Sequence, residues 1–216
     1  MASKRALGKP KARTGTLRII GGQWRGRKLQ FPTITGLRPT GDRLRETLFN
    51  WISPFVVDSH CLDLFAGSGA LGLEALSRGA ASATLIEISP NACNALRQHV
   101  NTLGAGFKAE VLEADARQWL QQPPPRAFDL VFLDPPFDSS LLAKTIPLVA
   151  TPGWLSEGAR IYIETAVERP INLPGHWEIL RTKETGQVRC QLLASSNPPA
   201  TIQLPRSSKP LIPNDS

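Results

Sequence analysis

Residues 62–72 read Leu62-Asp63-Leu64-Phe65-Ala66-Gly67-Ser68-Gly69-Ala70-Leu71-Gly72. An apolar run gives way to spaced glycines and then to a helical pattern, so the segment reads as a strand, a tight turn and the start of a helix. Glycines at such a turn let a ligand approach the backbone closely, and a helix N-terminus offers amides without intrahelical partners. Gly67, Gly69 and Gly72 also satisfy G-x-G-x-x-G, which leaves a nicotinamide or flavin dinucleotide open as the ligand. A glycine turn used only for packing is the plain alternative.

On either side of this turn, strand and helix patterns alternate. Upstream, a helix over 43–52 carries Leu44, Leu48, Trp51 and Ile52 on one face, and Pro54 is expected to end it. Downstream come a helix over 70–77, a strand over 83–88 and a helix from Pro90 to about Leu103. A strand over 107–112 and a short helix over 116–120 follow, then an apolar strand over 128–133. A helix over 140–149 and a strand over 159–164 complete the alternation. It implies an α/β fold, a parallel sheet covered by helices on both faces. Segments 176–184 and 187–194 read as a terminal hairpin, and the Pro- and Ser-rich residues 195–216 as a disordered tail. The single catalytic domain expected is 38–194.

The chain has 216 residues, a net charge of +7, 41% hydrophobic and 20% charged residues. That suits one globular domain with a substantial core. No apolar run reaches the roughly 18 residues of a membrane span, and the basic N-terminus lacks the apolar stretch of a secretory signal. Cys61, Cys93 and Cys190 are scattered, as are His60, His99 and His176. Neither a disulfide framework nor a metal centre is expected, and a reducing cytoplasm is the expected location.

The positive charge is concentrated at one end. Residues 1–41 hold ten Lys or Arg and no acid, whereas the rest of the chain has a net charge of −3. A basic arm (1–16) on a mildly acidic body points to a polyanionic partner; a solubilising tail is the bland alternative. Residues 18–29 alternate apolar and basic types around glycines and read as part of a β-hairpin over 17–37. Arg18, Arg25, Arg27 and Lys28, with Arg43 beyond the hairpin, are candidate phosphate contacts. Trp24 either stacks on a base or packs beneath the hairpin.

Several acids favour a cationic ligand at the glycine turn. Asp63, four positions before Gly67, would oppose a pyrophosphate but suit an ammonium or sulfonium group. Glu87 ends the second strand of the alternation, where it can accept from ribose hydroxyls. Asp115, ahead of Ala116, either holds an adenine amino group or caps the short helix. The fourth strand runs into Asp134-Pro135-Pro136-Phe137. Two prolines remove two amide donors and leave carbonyls free to accept; Asp134 adds a carboxylate and Phe137 a flat apolar face. This acceptor cluster with a stacking plate suits a planar ring bearing an exocyclic NH₂. A rigid turn is its plain alternative.

With these residues in this order, the chain resembles the class I S-adenosylmethionine-dependent methyltransferases over about residues 38–194. Asp134-Pro135-Pro136-Phe137 is similar to the signature of enzymes that methylate planar amino nitrogens. Residues 18–29 and 38–51 resemble a narrower group, the bacterial 16S ribosomal RNA guanine-N2 methyltransferases. The resemblance implies a Rossmann-like, seven-stranded, mostly parallel sheet ending in a hairpin that turns one strand antiparallel. It implies S-adenosylmethionine held by Arg38, Thr40, Asp63, Phe65, Gly67, Ser68, Gly69, Glu87, Asp115, Ala116 and Asp134. Catalysis would fall to Asp134, Pro135, Pro136 and Phe137, without a metal. The partner implied is 16S ribosomal RNA in the 30S subunit or its assembly intermediate, bound by a monomer. Three alternatives stay open: a DNA adenine or protein glutamine methyltransferase, a dinucleotide-dependent oxidoreductase, and a non-catalytic RNA-binding module.

Overall fold

The structure, a computed structural model, describes residues 14–32, 41–136 and 140–196. A hairpin of β1 (Thr14–Arg18) and β2 (Lys28–Pro32) encloses a 3-10 turn at Gly22–Trp24 and leads to helix α1 (Asp42–Val56). Then follow β3 (His60–Asp63), α2 (Gly72–Ser77), β4 (Ser82–Glu87), α3 (Pro90–Thr102), β5 (Ala109–Glu113) and α4 (Ala116–Trp119). The chain continues through β6 (Phe128–Leu133), α5 (Leu141–Val149), β7 (Leu155–Ala166), β8 (Trp177–Thr185) and β9 (Val188–Ser195).

The seven later strands form one sheet in the order β5-β4-β3-β6-β7-β9-β8. Pairing is parallel from β5 through β7, and β9 runs antiparallel to both β7 and β8. This is the Rossmann-like arrangement expected, with one strand reversed by the terminal hairpin. Because side chains alternate along a strand, each strand feeds two cores. Cys61, Leu85, Leu130, Phe132, Tyr162 and Leu192 pack with α1, α2 and α3 on one face. Leu62, Ile86, Val131, Leu133, Ile161 and Leu193 pack with α4 and α5 on the other.

The hairpin is stitched into this body. Leu17, Ile19, Leu29 and Phe31 are buried in the same core as α1, α2 and α3. Thr14, Gly15 and Thr16, expected in the basic arm, instead begin β1, where they pair with Pro32, Phe31 and Gln30. Burying Leu17, Leu29 and Phe31 outweighs the cost of ordering these residues.

Further boundaries differ from expectation: the strand expected over 159–164 spans Leu155–Ala166. Pro54 lies inside α1, which continues to Val56. One missing amide near a helix end costs less than the burial of Val56 returns, and Phe55 adds a contact with the Arg160 guanidinium 4.2 Å from its ring. The strand expected from Phe107 starts at Ala109, since Phe107 is 83% exposed. Ser195, expected in the tail, closes β9 opposite Trp177. Ser196, also expected in the tail, donates to the His176 carbonyl; residues 1–13, 33–37 and 197–216 lie outside the described residues.

Candidate active site

The parallel register brings a row of acids to one edge of the sheet. Asp115 follows β5, Glu87 ends β4, Asp63 ends β3 and Asp134 follows β6, on four strands adjacent in space. The carboxyl edge of an open α/β sheet is where ligands bind, at the point where strand order reverses about β3.

The glycine turn is shaped by backbone conformation and by two of these acids. Gly67 and Gly69 adopt positive φ of 52° and 82°, which side chains other than glycine rarely tolerate. The Gly69 amide donates to the Ala66 carbonyl at 2.7 Å, closing the turn. Glu87 accepts from the Gly67 amide at 2.9 Å and from the Ser89 amide at 2.7 Å. Asp63 accepts from the Gly72 amide at 3.0 Å, joining the end of β3 to the start of α2. Ser68 is buried, and Phe65 is half-buried against the opposite core.

Asp63 is only 2% exposed. Burial pushes its carboxyl up to about 7; the Gly72 amide opposes this, and the charges of Asp134 and Glu87 add to it. Three carboxylates therefore act on one another in one crevice. Such a site penalises an anion and repays a cation. Of the two ligand classes left open by the glycine spacing, the field favours the ammonium- and sulfonium-bearing one over a pyrophosphate.

Asp115 caps α4, accepting from the Arg117 and Gln118 amides at 2.8 and 3.4 Å. The Arg117 guanidinium also reaches it, at 3.1 Å through Nε and 2.6 Å through Nη2. That side-chain bond is the main reason its carboxyl falls to about 2. An adenine amino group there would have to share a carboxylate already accepting four bonds. Ala116 is buried in the first turn of α4.

At the end of β6, Asp134 is half-buried, Pro135 is buried and Pro136 is exposed. A cavity of about 290 Å³ opens beside the two prolines, walled also by Leu142, Ile171 and Glu164. Phe137, Arg38 and Thr40 lie outside the described residues.

The basic hairpin sits against α1, α2 and α3. Glu74, fully buried, accepts from the Ile20 and Gly21 amides at 2.8 Å each and pairs with Arg78 at 2.7 Å. Buried Arg45 lies 3.6 Å from Glu74, donates to the Arg18 carbonyl at 2.9 Å and pairs with Asp42 at 2.6 Å. Ser77 accepts from the Trp24 amide, and the Trp24 side chain is half-buried against the core. Arg18 pairs with Asp42 at 3.3 Å, and Arg27 donates to the Thr102 carbonyl at 3.1 Å. Arg25, Lys28 and Arg43 are exposed.

Sequence reading passed over Arg45, Glu74, Ile88 and Glu164. Arg45 and Glu74 look like ordinary charges on helix surfaces until the hairpin covers them. Ile88 is 66% exposed beside Glu87, an apolar side chain at a polar crevice, and that position was visible in the sequence. Glu164 lies two residues before the end of β7, with no motif around it. Among the described residues, no group of three or more His, Cys, Asp or Glu is placed to hold a metal ion, and no helix is long and apolar enough to cross a membrane.

Comparison with known proteins bears on this geometry. A family model described as Conserved hypothetical protein 95 matches residues 17–194. The chain is 52% identical over 180 residues to Ribosomal RNA small subunit methyltransferase D of Escherichia coli K12, covering 83% of this chain and 90% of that protein. The Haemophilus influenzae protein of the same name is 46% identical over 180 residues, covering 82% and 93%. The solved structure of yhhF from Escherichia coli superimposes with a TM-score of 0.79 at 49% identity, covering 84% of this chain and 99% of that one.

Proposed function

The chain belongs to the family whose model spans residues 17–194, and we propose that it transfers a methyl group from S-adenosylmethionine to the exocyclic N2 of a guanine in 16S ribosomal RNA. The observation that carries the reading is the crevice in which Asp63 and Glu87 share their field with Asp134. A cation-favouring ligand pocket thus borders an acceptor cluster built for an amine. The relatives that carry the name of a ribosomal RNA small subunit methyltransferase supply the substrate class.

S-adenosylmethionine, when bound, supplies an electrophilic methyl group on a sulfonium sulfur. The donor set present fits it. Asp63 and Glu87 offer negative charge to its cationic groups, Glu87 also offers acceptors for ribose hydroxyls, and Ile88 offers an apolar surface to its adenine. The N2 lone pair of guanine is delocalised into the ring and is a poor nucleophile. Accepting its two N–H bonds with the Asp134 carboxylate and the Pro135 carbonyl favours a pyramidal nitrogen whose lone pair faces the methyl group. Positioning and charge placement then do most of the work of an in-line displacement. The nitrogen sheds its extra proton to Asp134 or to solvent.

The base must leave its stack to reach this pocket, so the RNA has to be held by its backbone. The hairpin suits that task, because Glu74 and the buried Leu17, Ile19, Leu29 and Phe31 hold it rigidly while Arg25 and Lys28 face outward.

Incubating the protein with methyl-labelled S-adenosylmethionine and naked 16S RNA, free 30S subunits or duplex DNA tests the reading. Label should enter guanine N2 of the RNA. Asp134→Ala should lose at least about 100-fold in transfer, far more than it loses in cofactor affinity. Near-normal turnover in that variant, or label appearing in DNA adenine instead, would overturn the assignment.

A further inference from the structure

We infer that Glu164 reads the ring N1–H of the bound guanine and so sets guanine over adenine at this site; the inference rests on the methyltransferase reading above. The last registered pair between β6 and β7 is Leu133 with Ile163. The next residue on each parallel strand is Asp134 and Glu164, so Glu164 extends the row of acids by one strand beyond the acceptor cluster. Glu164 is 3% exposed, shares the sheet face of Tyr162 and Asp134, and borders, with Thr165 and Arg169, the cavity of about 290 Å³ that opens beside Pro135 and Pro136.

The carboxylate is held in place. The buried Tyr162 hydroxyl donates to its Oε1 at 2.7 Å. Burial, and then the Glu164 charge, push the Tyr162 hydroxyl well above its usual range, so the phenol stays a donor. With Tyr162 as the donor, Glu164 meets its partners as an acceptor, on the same sheet face as Asp134.

The chemistry of the acceptor cluster makes a further reader necessary. Asp134 and the Pro135 carbonyl grip an NH₂ group, and adenine N6 or a glutamine amide satisfies them as well as guanine N2 does. Guanine differs from adenine at the neighbouring ring atom, which carries a proton in guanine and a lone pair in adenine. A carboxylate there accepts from guanine and repels adenine. Sites built to pair a substrate N–H reject analogues lacking it far more strongly than shape alone can.

The test replaces the methylated guanine, once mapped, with 2-aminopurine in the same RNA. That base keeps the N2 amine but has a bare N1. The wild-type enzyme is expected to prefer guanine in kcat/KM by roughly 100-fold. Glu164→Gln, whose amide can donate to bare N1, is expected to bring the two bases within about 5-fold. Should that variant fold poorly, Tyr162→Phe frees the carboxylate with little change of shape and is expected to reduce the preference at least about 5-fold. A preference absent in the wild type, or one that both variants keep while the rates on the two bases fall together, overturns the inference. A wild-type enzyme that labels no guanine at all instead sinks the methyltransferase reading on which it rests, and this shows before any variant is made.

Discussion

Replacing Asp63 by asparagine removes the deepest charge of the crevice while keeping its shape and an oxygen to accept from the Gly72 amide. The wild-type carboxyl sits at about 7 when folded, against 3.8 for an ordinary aspartate. Below about pH 4 it is protonated in both folded and unfolded chains and costs nothing. As the pH rises from 4 to 7 the unfolded chain ionises first, so the folded state loses stability; above about 7 the full penalty is present and constant. At 1.36 kcal/mol per pKa step the penalty approaches about 4 kcal/mol. Chemical denaturation of the ligand-free proteins should therefore show Asp63→Asn equal to wild type near pH 4 and more stable by up to about 4 kcal/mol at pH 8. The same carboxyl should report ligand charge. At pH 6 it is roughly nine-tenths protonated, so binding a cationic donor beside it releases close to one proton. Calorimetric titration of S-adenosylmethionine in buffers of different ionisation enthalpy measures that release, and Asp63→Asn should abolish it. If wild type releases no proton at pH 6, or if the variant releases as many, the cation-binding role of Asp63 fails.

Glu74→Ala leaves the Arg45 guanidinium buried without its inner partner and removes the acceptor of the Ile20 and Gly21 amides; unfolding in urea should show a loss of about 3 kcal/mol or more, and a loss below 1 kcal/mol would refute the network as the anchor of the hairpin. Neutralising Arg25, Arg27 and Lys28 together should weaken RNA binding and flatten the plot of log affinity against log salt by about 2, since each phosphate contact contributes about 0.7 to 0.9 of slope. An unchanged slope would remove the hairpin as the RNA grip.

Local chemistry was legible where a residue type has one use at one place. Pro90 opens α3 and Gly67 and Gly69 take positive φ, each as its neighbours in the sequence demand. The order of the acids was legible too, because strand ends next to turns mark the ligand edge. Asp115 shows the limit of this kind of reading. Sequence offered a cap and an adenine contact as equals, and only the Arg117 guanidinium folded onto the carboxylate reveals how fully it is engaged. Pro54 shows another, since a helix continues past proline when the next turn has a core to enter.

Alternating strand and helix patterns, one glycine turn and one four-residue acceptor motif stand in the sequence itself, so the α/β class was determined there and the segments proposed as cofactor loop and amine-binding end of β6 could be picked out. Tertiary structure decided everything that depends on neighbours distant in the chain. Strand order placed Glu164 beside Asp134, and the closing of α2 over β3 buried Asp63 and raised its affinity for a proton. The docking of residues 14–32 turned Arg45 and Glu74 from apparent surface charges into a buried pair. Burial and the strength of a field are properties of what surrounds a side chain, and a sequence specifies those surroundings only once it has folded.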